Sequence, residues 1–253
     1  MVEAAREEDG GRSTHALVQQ FVTARRDDRY VVLEGHHAVK HALRFGAQLS
    51  AVALLEDTPD ADLPPELHAT QVTVHRLSPP TFDRLLPGRP PVPLVAVAAR
   101  PSVDVRAALE PSDAPLVVLE RPTHHGNVGA VVRVAAAAGA HGVVTVGGAD
   151  PWHPTAVRGG AGLQFALPVA RLSGLLPTRR PVVALDPAGT PLGDARLPRG
   201  AALIFGTERR GLSDEVRRRA DVSVAIPMRP GVSSLNLATA VAVVLYTGPW
   251  RRW

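Results

Sequence analysis

Three glycine-bearing segments hold the residues whose types and spacing allow chemistry. The first, Asn127-Val128-Gly129-Ala130-Val131-Val132-Arg133, sets an amide and a guanidinium along one stretch. The second, Gly206-Thr207-Glu208-Arg209-Arg210-Gly211, flanks a carboxylate with glycines, and the third runs Ile226-Pro227-Met228, then Ser233-Ser234-Leu235-Asn236. Glycine lets a ligand approach the backbone where a β-carbon would block it. Arg133 is a source of fixed positive charge, Asn127 and Asn236 of hydrogen bonds, and Glu208 of negative charge. Both G-x-G-x-x-G and G-x-x-x-x-G-K-[ST] are missing, so the dinucleotide and P-loop readings fail. His124 and His125 precede Asn127, but no carboxylate or third histidine follows at ligand spacing, so no metal site is expected.

Each segment follows a short apolar run. Leu116–Leu119, Gly142–Val146, Pro181–Leu185, Ala201–Phe205 and Val222–Ile226 are continuous rather than alternating, as in strands buried on both faces of a parallel sheet. Helical stretches separate them, notably Val128–Ala138, Ser213–Arg219 and Ser234–Tyr246. The alternation predicts an α/β domain over residues 115–253, with its loops at the carboxyl ends of the strands. Residues 101–114, rich in proline and charge, read as a linker.

Residues 13–100 read as a smaller α/β unit. Ser13 is placed to cap a helix with Leu17, Val18, Phe21 and Val22 on one face. Strands are expected at Tyr30–Leu33, Leu49–Leu55, Gln71–Arg76 and Pro93–Ala99, with helices from Gly35 to Phe45 and from Ser78 to Leu86. Residues 1–12 read as a disordered tail.

The 253 residues are 45% hydrophobic and 21% charged, which excludes global disorder. Aromatics reach only 4%, so the core must be built from Ala, Val and Leu. The absence of cysteine excludes disulfides, thiolate metal sites and cysteine nucleophiles. The net charge is +4, carried by arginine with Lys40 the single lysine. Arginine suits phosphate and base stacking, although a GC-rich genome inflates arginine equally well. No apolar run reaches the roughly 18 residues that cross a bilayer, and the first ten residues do not read as a secretory signal, so a cytoplasmic protein without a membrane partner is expected.

Taken in order, the three segments resemble the SpoU (TrmH-like) group of the SPOUT RNA methyltransferases, which carries N-x-G-x-x-x-R, then G-x-E-x-x-G, then I-P-M with S-L-N. Leu33-Glu34-Gly35-His36-His37-Ala38-Val39 is similar to the start of an L30e-like substrate-binding domain. The resemblance implies a C-terminal parallel-sheet domain with a deep trefoil knot, preceded by a smaller L30e-like α/β domain. It implies transfer of a methyl group from S-adenosylmethionine to a ribose 2′-hydroxyl of structured RNA, ribosomal RNA ahead of transfer RNA. A homodimer through the C-terminal domain, each subunit completing the other's site, is implied as well. A non-catalytic RNA-binding or ribosome-assembly factor is the alternative on the same scaffold.

By that resemblance Arg133, Asn127 and Glu208 are the catalytic candidates. Arg133 is either a transiently deprotonated base or an electrostatic clamp on oxyanion and phosphate; the clamp costs less, because guanidinium stays protonated at neutral pH. Asn127 bonds the arginine, the ribose or the helix start. Glu208 orients Arg133 or Asn127, lies near the donor's positive charge, or is a solvated acid in a first helical turn. Gly206, Ile226, Leu235, Met228, Ser234, Leu185 and Gly211 are expected around the methyl donor, with Ser234 also able to cap the last helix. His37, Lys40, His41 and Arg44, one stripe at helical spacing, join Asn236 and Arg158 as RNA contacts; a solvated helix face is the plainer reading of the stripe. One departure stands out: the family's R-x-S-x-G is here Arg158-Gly159-Gly160-Ala161-Gly162, so a hydroxyl is missing at Gly160 and a looser loop is expected.

Overall fold

A computed structural model describes residues 10–207 and 210–250. They divide into two units: residues 10–102 with 161–165, and residues 103–160 with 166–250.

The first unit runs α1 (Gly10–Ala24), β1 (Tyr30–Glu34), α2 (His36–Arg44), β2 (Leu49–Leu55), β3 (Val74–Leu77), α3 (Pro79–Phe82) and β4 (Leu94–Ala99). Its sheet has the order β1-β4-β2-β3, with β4 antiparallel to both neighbours and β3 parallel to β2. Leu17, Val18 and Phe21 of α1 are buried in one cluster with Val32, Val95 and Val97, so the apolar face expected of this helix packs on the sheet. Helix α1 begins before Ser13, inside the stretch read as a tail. Helix α3 is shorter than expected. Beyond it the chain tightens into i→i+3 bonds, Arg84 N–H to Thr81 O and Leu85 N–H to Phe82 O. Residues 161–165 pack on α2: His41 Nδ1 is 2.8 Å from the Ala161 carbonyl.

The second unit runs α4 (Val105–Leu109), β5 (Leu116–Glu120), α5 (His125–Ala137), β6 (Gly142–Val146), α6 (Pro154–Gly159), β7 (Val169–Leu172), β8 (Val182–Pro191), β9 (Ala202–Phe205), α7 (Asp214–Arg219), β10 (Val222–Ala225) and α8 (Leu237–Thr247). All six strands are parallel, in the order β10-β8-β9-β5-β6-β7. Strands β5, β6 and β9 are buried along their whole length, which is why their sequences do not alternate. Strand β7 was not expected; it is four residues long and carries an exposed Arg171.

Residues 101–114, read as a linker, contain α4. Asp104 caps it by accepting from the Arg106 and Ala107 N–H groups, and Leu109 enters the core beside Leu116 and Val118. A buried apolar residue fixes a segment that composition marked as free. Trp250 is also core: it is buried, and its indole N–H donates to the Leu245 carbonyl. No helix among the described residues is long and apolar enough to cross a membrane.

Candidate active site

The carboxyl ends of β8, β9 and β10 open into one cleft of about 220 Å³, the place where parallel α/β sheets bind ligands. Strand β9 delivers Phe205, Gly206 and Thr207 to its wall. A β-carbon on Gly206 would run into the Gly211 carbonyl group and the Leu212 nitrogen, all backbone. Only glycine lets the chain double back here. The turn is closed by Gly211 N–H donating to Thr207 O at 2.9 Å and Arg210 N–H donating to Thr207 Oγ1 at 3.1 Å. Glu208 lies outside the described residues.

Strand β8 contributes through a bulge. Val183 and Ala184 pair with Val222 and Ser223 of β10, and pairing resumes only at Thr190 with Val224. Leu185 to Gly189 intervene, and Leu185, Asp186 and Pro187 line the cleft. Bulges re-aim side chains beside functional sites. The Asp186 carboxylate accepts Ala188 N–H through Oδ1 at 2.9 Å and Arg217 Nε–H through Oδ2 at 2.7 Å. The Ala188 bond first, then the Arg217 bond, hold its pKa below the ordinary carboxylate value. Asp186 is the single ionisable side chain among the described residues lining the cleft.

The third wall is Ile226, Met228, Ser233, Ser234 and Leu235, closed by Leu237 and Ala240 of α8. Asn236, not Ser234, caps α8: its Oδ1 accepts the Ala238 and Thr239 N–H groups. The helix therefore starts at Leu237 instead of Ser234. The Asn236 amide also donates through Nδ2 to Asn127 Oδ1 at 3.2 Å, tying the third segment to the first. Asn127 is not the cap of α5; His124 holds that position and Asn127 lies in the first turn.

The seven residues put forward for the methyl donor, Leu185, Gly206, Gly211, Ile226, Met228, Ser234 and Leu235, thus line one cleft. Arg133 does not. It is exposed on α5, and its side chain has no hydrogen bond or ion pair among the described residues. Gly129 serves packing, since a β-carbon there would strike the Ala156 carbonyl and prevent α5 from meeting α6. Gly160 is no loose loop residue either. It is buried at the end of α6, with its N–H bonded to Ala156 O at 2.8 Å. Arg158 is exposed in the last turn of α6.

Part of the basic stripe on α2 has internal partners. Arg44 forms an ion pair with Glu66 at 2.7 Å and His41 meets the Ala161 carbonyl, while His37 is exposed and Lys40 half-buried. His125 stacks on His153 with centroids 3.9 Å apart; burial, then the His153 charge, lowers its pKa. No group of three metal-ligating side chains occurs among the described residues. Asp186 is not among the residues put forward from the sequence, although an acid directly after the apolar run ending at Leu185 was a usable signal. Nor is Glu120, whose buried carboxylate accepts the Ser213 N–H at 2.8 Å and anchors the start of α7.

The second unit is thus a parallel α/β domain with a cleft at the carboxyl ends of adjacent strands, the place where such sheets bind ligands. Residues 114–246 match the SpoU rRNA Methylase family. The chain belongs to that family. It is 35% identical over 170 residues to the 23S rRNA (uridine(2479)-2′-O)-methyltransferase of Streptomyces viridochromogenes, covering 62% of this chain and 59% of that relative. It is 26% identical over 227 residues to the 23S rRNA (guanosine(2553)-2′-O)-methyltransferase RlmP of Bacillus subtilis, covering 85% and 86%. The crystal structure of the SpoU methyltransferase AviRb from S. viridochromogenes in complex with AdoMet superposes with a TM-score of 0.77 at 26% identity, over 91% of this chain and 96% of that one. The aligned part spans 59% and 53% of the length of the first two curated relatives.

Proposed function

We propose that this protein transfers a methyl group from S-adenosylmethionine to a ribose 2′-hydroxyl of RNA, ribosomal RNA rather than transfer RNA. The observation that carries this reading is the convergence of the second and third segments on one cleft in a member of the SpoU family. The names of two relatives as 23S rRNA 2′-O-methyltransferases favour a ribosomal substrate.

The cleft fits the donor. Leu185, Ile226, Leu235 and Leu237 provide apolar walls for an adenine ring, and the turn at Gly206 brings backbone to its edge. Among the described lining residues the only ionisable side chain is an acid, which suits the positive charge of a sulfonium. When bound, the donor supplies an electrophilic methyl group. This chain's own residues hold the reactants. Asn236, between the lining residues Leu235 and Leu237, is tied to Asn127 through its amide. Arg133 acts as the electrostatic clamp on phosphate and developing oxyanion, and Glu208 orients the amide and guanidinium groups.

Arg133 lies outside the cleft lining of its own chain, which favours a homodimer through the C-terminal unit, each subunit completing the other's site. His37, Lys40, His41 and Arg44 of the N-terminal unit, with Asn236 and Arg158, are the proposed RNA contacts. An L30e-like role for that unit, a knotted path of the last strands and a cytoplasmic location belong to the same reading. Titration calorimetry with S-adenosylmethionine and mass-spectrometric mapping of ribose methylation, in RNA from cells with and without the gene, test it. Donor binding and one ribose methyl lost with the gene are expected; no binding at millimolar donor favours a non-catalytic RNA-binding factor.

A further inference from the structure

We propose that Asp186 is the residue that reads the ribose of the methyl donor, accepting hydrogen bonds from its vicinal hydroxyls, and that Arg217 is the positioning residue that holds it there. The inference rests on the reading of the cleft as a donor site and adds a recognition role that the three segments do not contain.

An ionised carboxylate has about four lone-pair positions on its two oxygens and no proton to donate. In Asp186 one position on Oδ1 is used by the Ala188 N–H and one on Oδ2 by the Arg217 Nε–H. The remainder belong to a side chain that lines the cleft, among Leu185, Phe205, Ile226 and Leu237. Acceptors beside apolar walls favour a ligand that brings hydrogen-bond donors to that point, because an unmet polar group is costly away from water. A nucleoside presents an apolar base for such walls and two neighbouring O–H donors on its sugar. Asp186 also stands where this chemistry is done in other parallel sheets: directly after Leu185, the last residue of β8 in register with β9. An acid near the carboxyl end of a parallel strand is a recurrent partner for ribose hydroxyls.

Position and ionisation are both fixed by neighbours. Arg217 is bound on two sides, by Asp186 at 2.7 Å and by Asp214 at 3.3 Å, so the guanidinium links α7 to the β8 bulge. Two carboxylates on one guanidinium leave the trio with a net negative charge, and Asp186 remains an acceptor at neutral pH.

The test uses calorimetric affinities, not turnover. The full chain is titrated with S-adenosylmethionine, S-adenosylhomocysteine, methylthioadenosine and 2′-deoxy- and 3′-deoxy-methylthioadenosine. The parent is expected to bind the ribo compound about tenfold to hundredfold more tightly than at least one deoxy analogue, the range for a hydrogen bond to a charged acceptor. Asp186→Asn should lose most of that discrimination and weaken the sulfonium and thioether ligands alike. Arg217→Ala should weaken the ribo ligands severalfold by loosening the bulge, and Arg217→Lys should recover part of the loss. Thermal unfolding of each variant identifies a misfolded one. Equal binding of ribo and deoxy ligands by the parent overturns the inference, as does unchanged discrimination in Asp186→Asn. A loss in Asp186→Asn confined to S-adenosylmethionine overturns it too, since it shows the acid reading the ligand's positive charge. If the parent binds none of the five compounds, it is the donor-site reading that fails.

Discussion

Replacing Gly206 with alanine tests whether the turn after β9 shapes the cleft. The new β-carbon would overlap the Gly211 carbonyl group and the Leu212 nitrogen, and backbone cannot swing aside as a rotamer does. Leu212 is 3% exposed and part of the core, so the 207–211 turn must yield instead. Opening it sacrifices the Gly211 N–H to Thr207 O and the Arg210 N–H to Thr207 Oγ1 bonds. At about 0.5–1.5 kcal/mol each, these two bonds cost about 1–3 kcal/mol, the same range as ordinary overpacking. In a chain of this size that is a fall in Tm of roughly 2–12 °C. Gly193→Ala is the control, because a β-carbon there meets nothing within 4 Å. Differential scanning fluorimetry should show the fall for Gly206→Ala alone, and calorimetry should show its affinity for S-adenosylmethionine reduced at least about tenfold. A Gly206→Ala protein with the parent's Tm and the parent's affinity refutes the reasoning.

Three further outcomes are expected. Asn236→Ala should cost about 1 kcal/mol by urea unfolding through the lost cap. Asn236→Asp keeps the acceptor for the Ala238 and Thr239 N–H groups but not the amide that reaches Asn127, so its stability should stay within about 0.5 kcal/mol of the parent while methyl transfer to RNA falls. Arg133→Ala, at an exposed site, should leave stability within about 0.5 kcal/mol and donor affinity unchanged, yet slow single-turnover methyl transfer about 100-fold or more; unaltered turnover removes Arg133 from the site. His125 has a lowered pKa in the folded chain, so the unfolded chain takes up its proton first on acidification. Its contribution is complete above the ordinary histidine value of about 6.5 and is lost as pH falls from there through the folded value. The urea midpoint should therefore drop between about pH 7.5 and pH 5.5, and His125→Gln should flatten that drop; an identical drop in the variant assigns it to other groups.

What the sequence determines here is whatever depends on local order along the chain. Continuous apolar runs at 116–119, 142–146 and 201–205 call for strands buried on both faces, and the intervening helical patterns call for a parallel sheet. Segments that follow such strands must gather at their carboxyl ends, so Gly206, Ile226 and Leu235 meet in a cleft. Features that depend on a distant partner were illegible. Asn236 displaces Ser234 as the cap while its amide meets Asn127, 109 residues earlier in the chain. Asp186 enters the cleft because β10 passes a five-residue bulge in β8 unpaired, and its partner Arg217 is 31 residues away. The glycines divide in the same way. Their spacing marks a motif, but only the folded chain shows that Gly129 admits the Ala156 carbonyl and Gly206 the Gly211 backbone. Period and composition record the neighbours a residue has along the chain, whereas a cap, a bulge or a backbone crossing is decided by which atoms close packing brings together across the sheet.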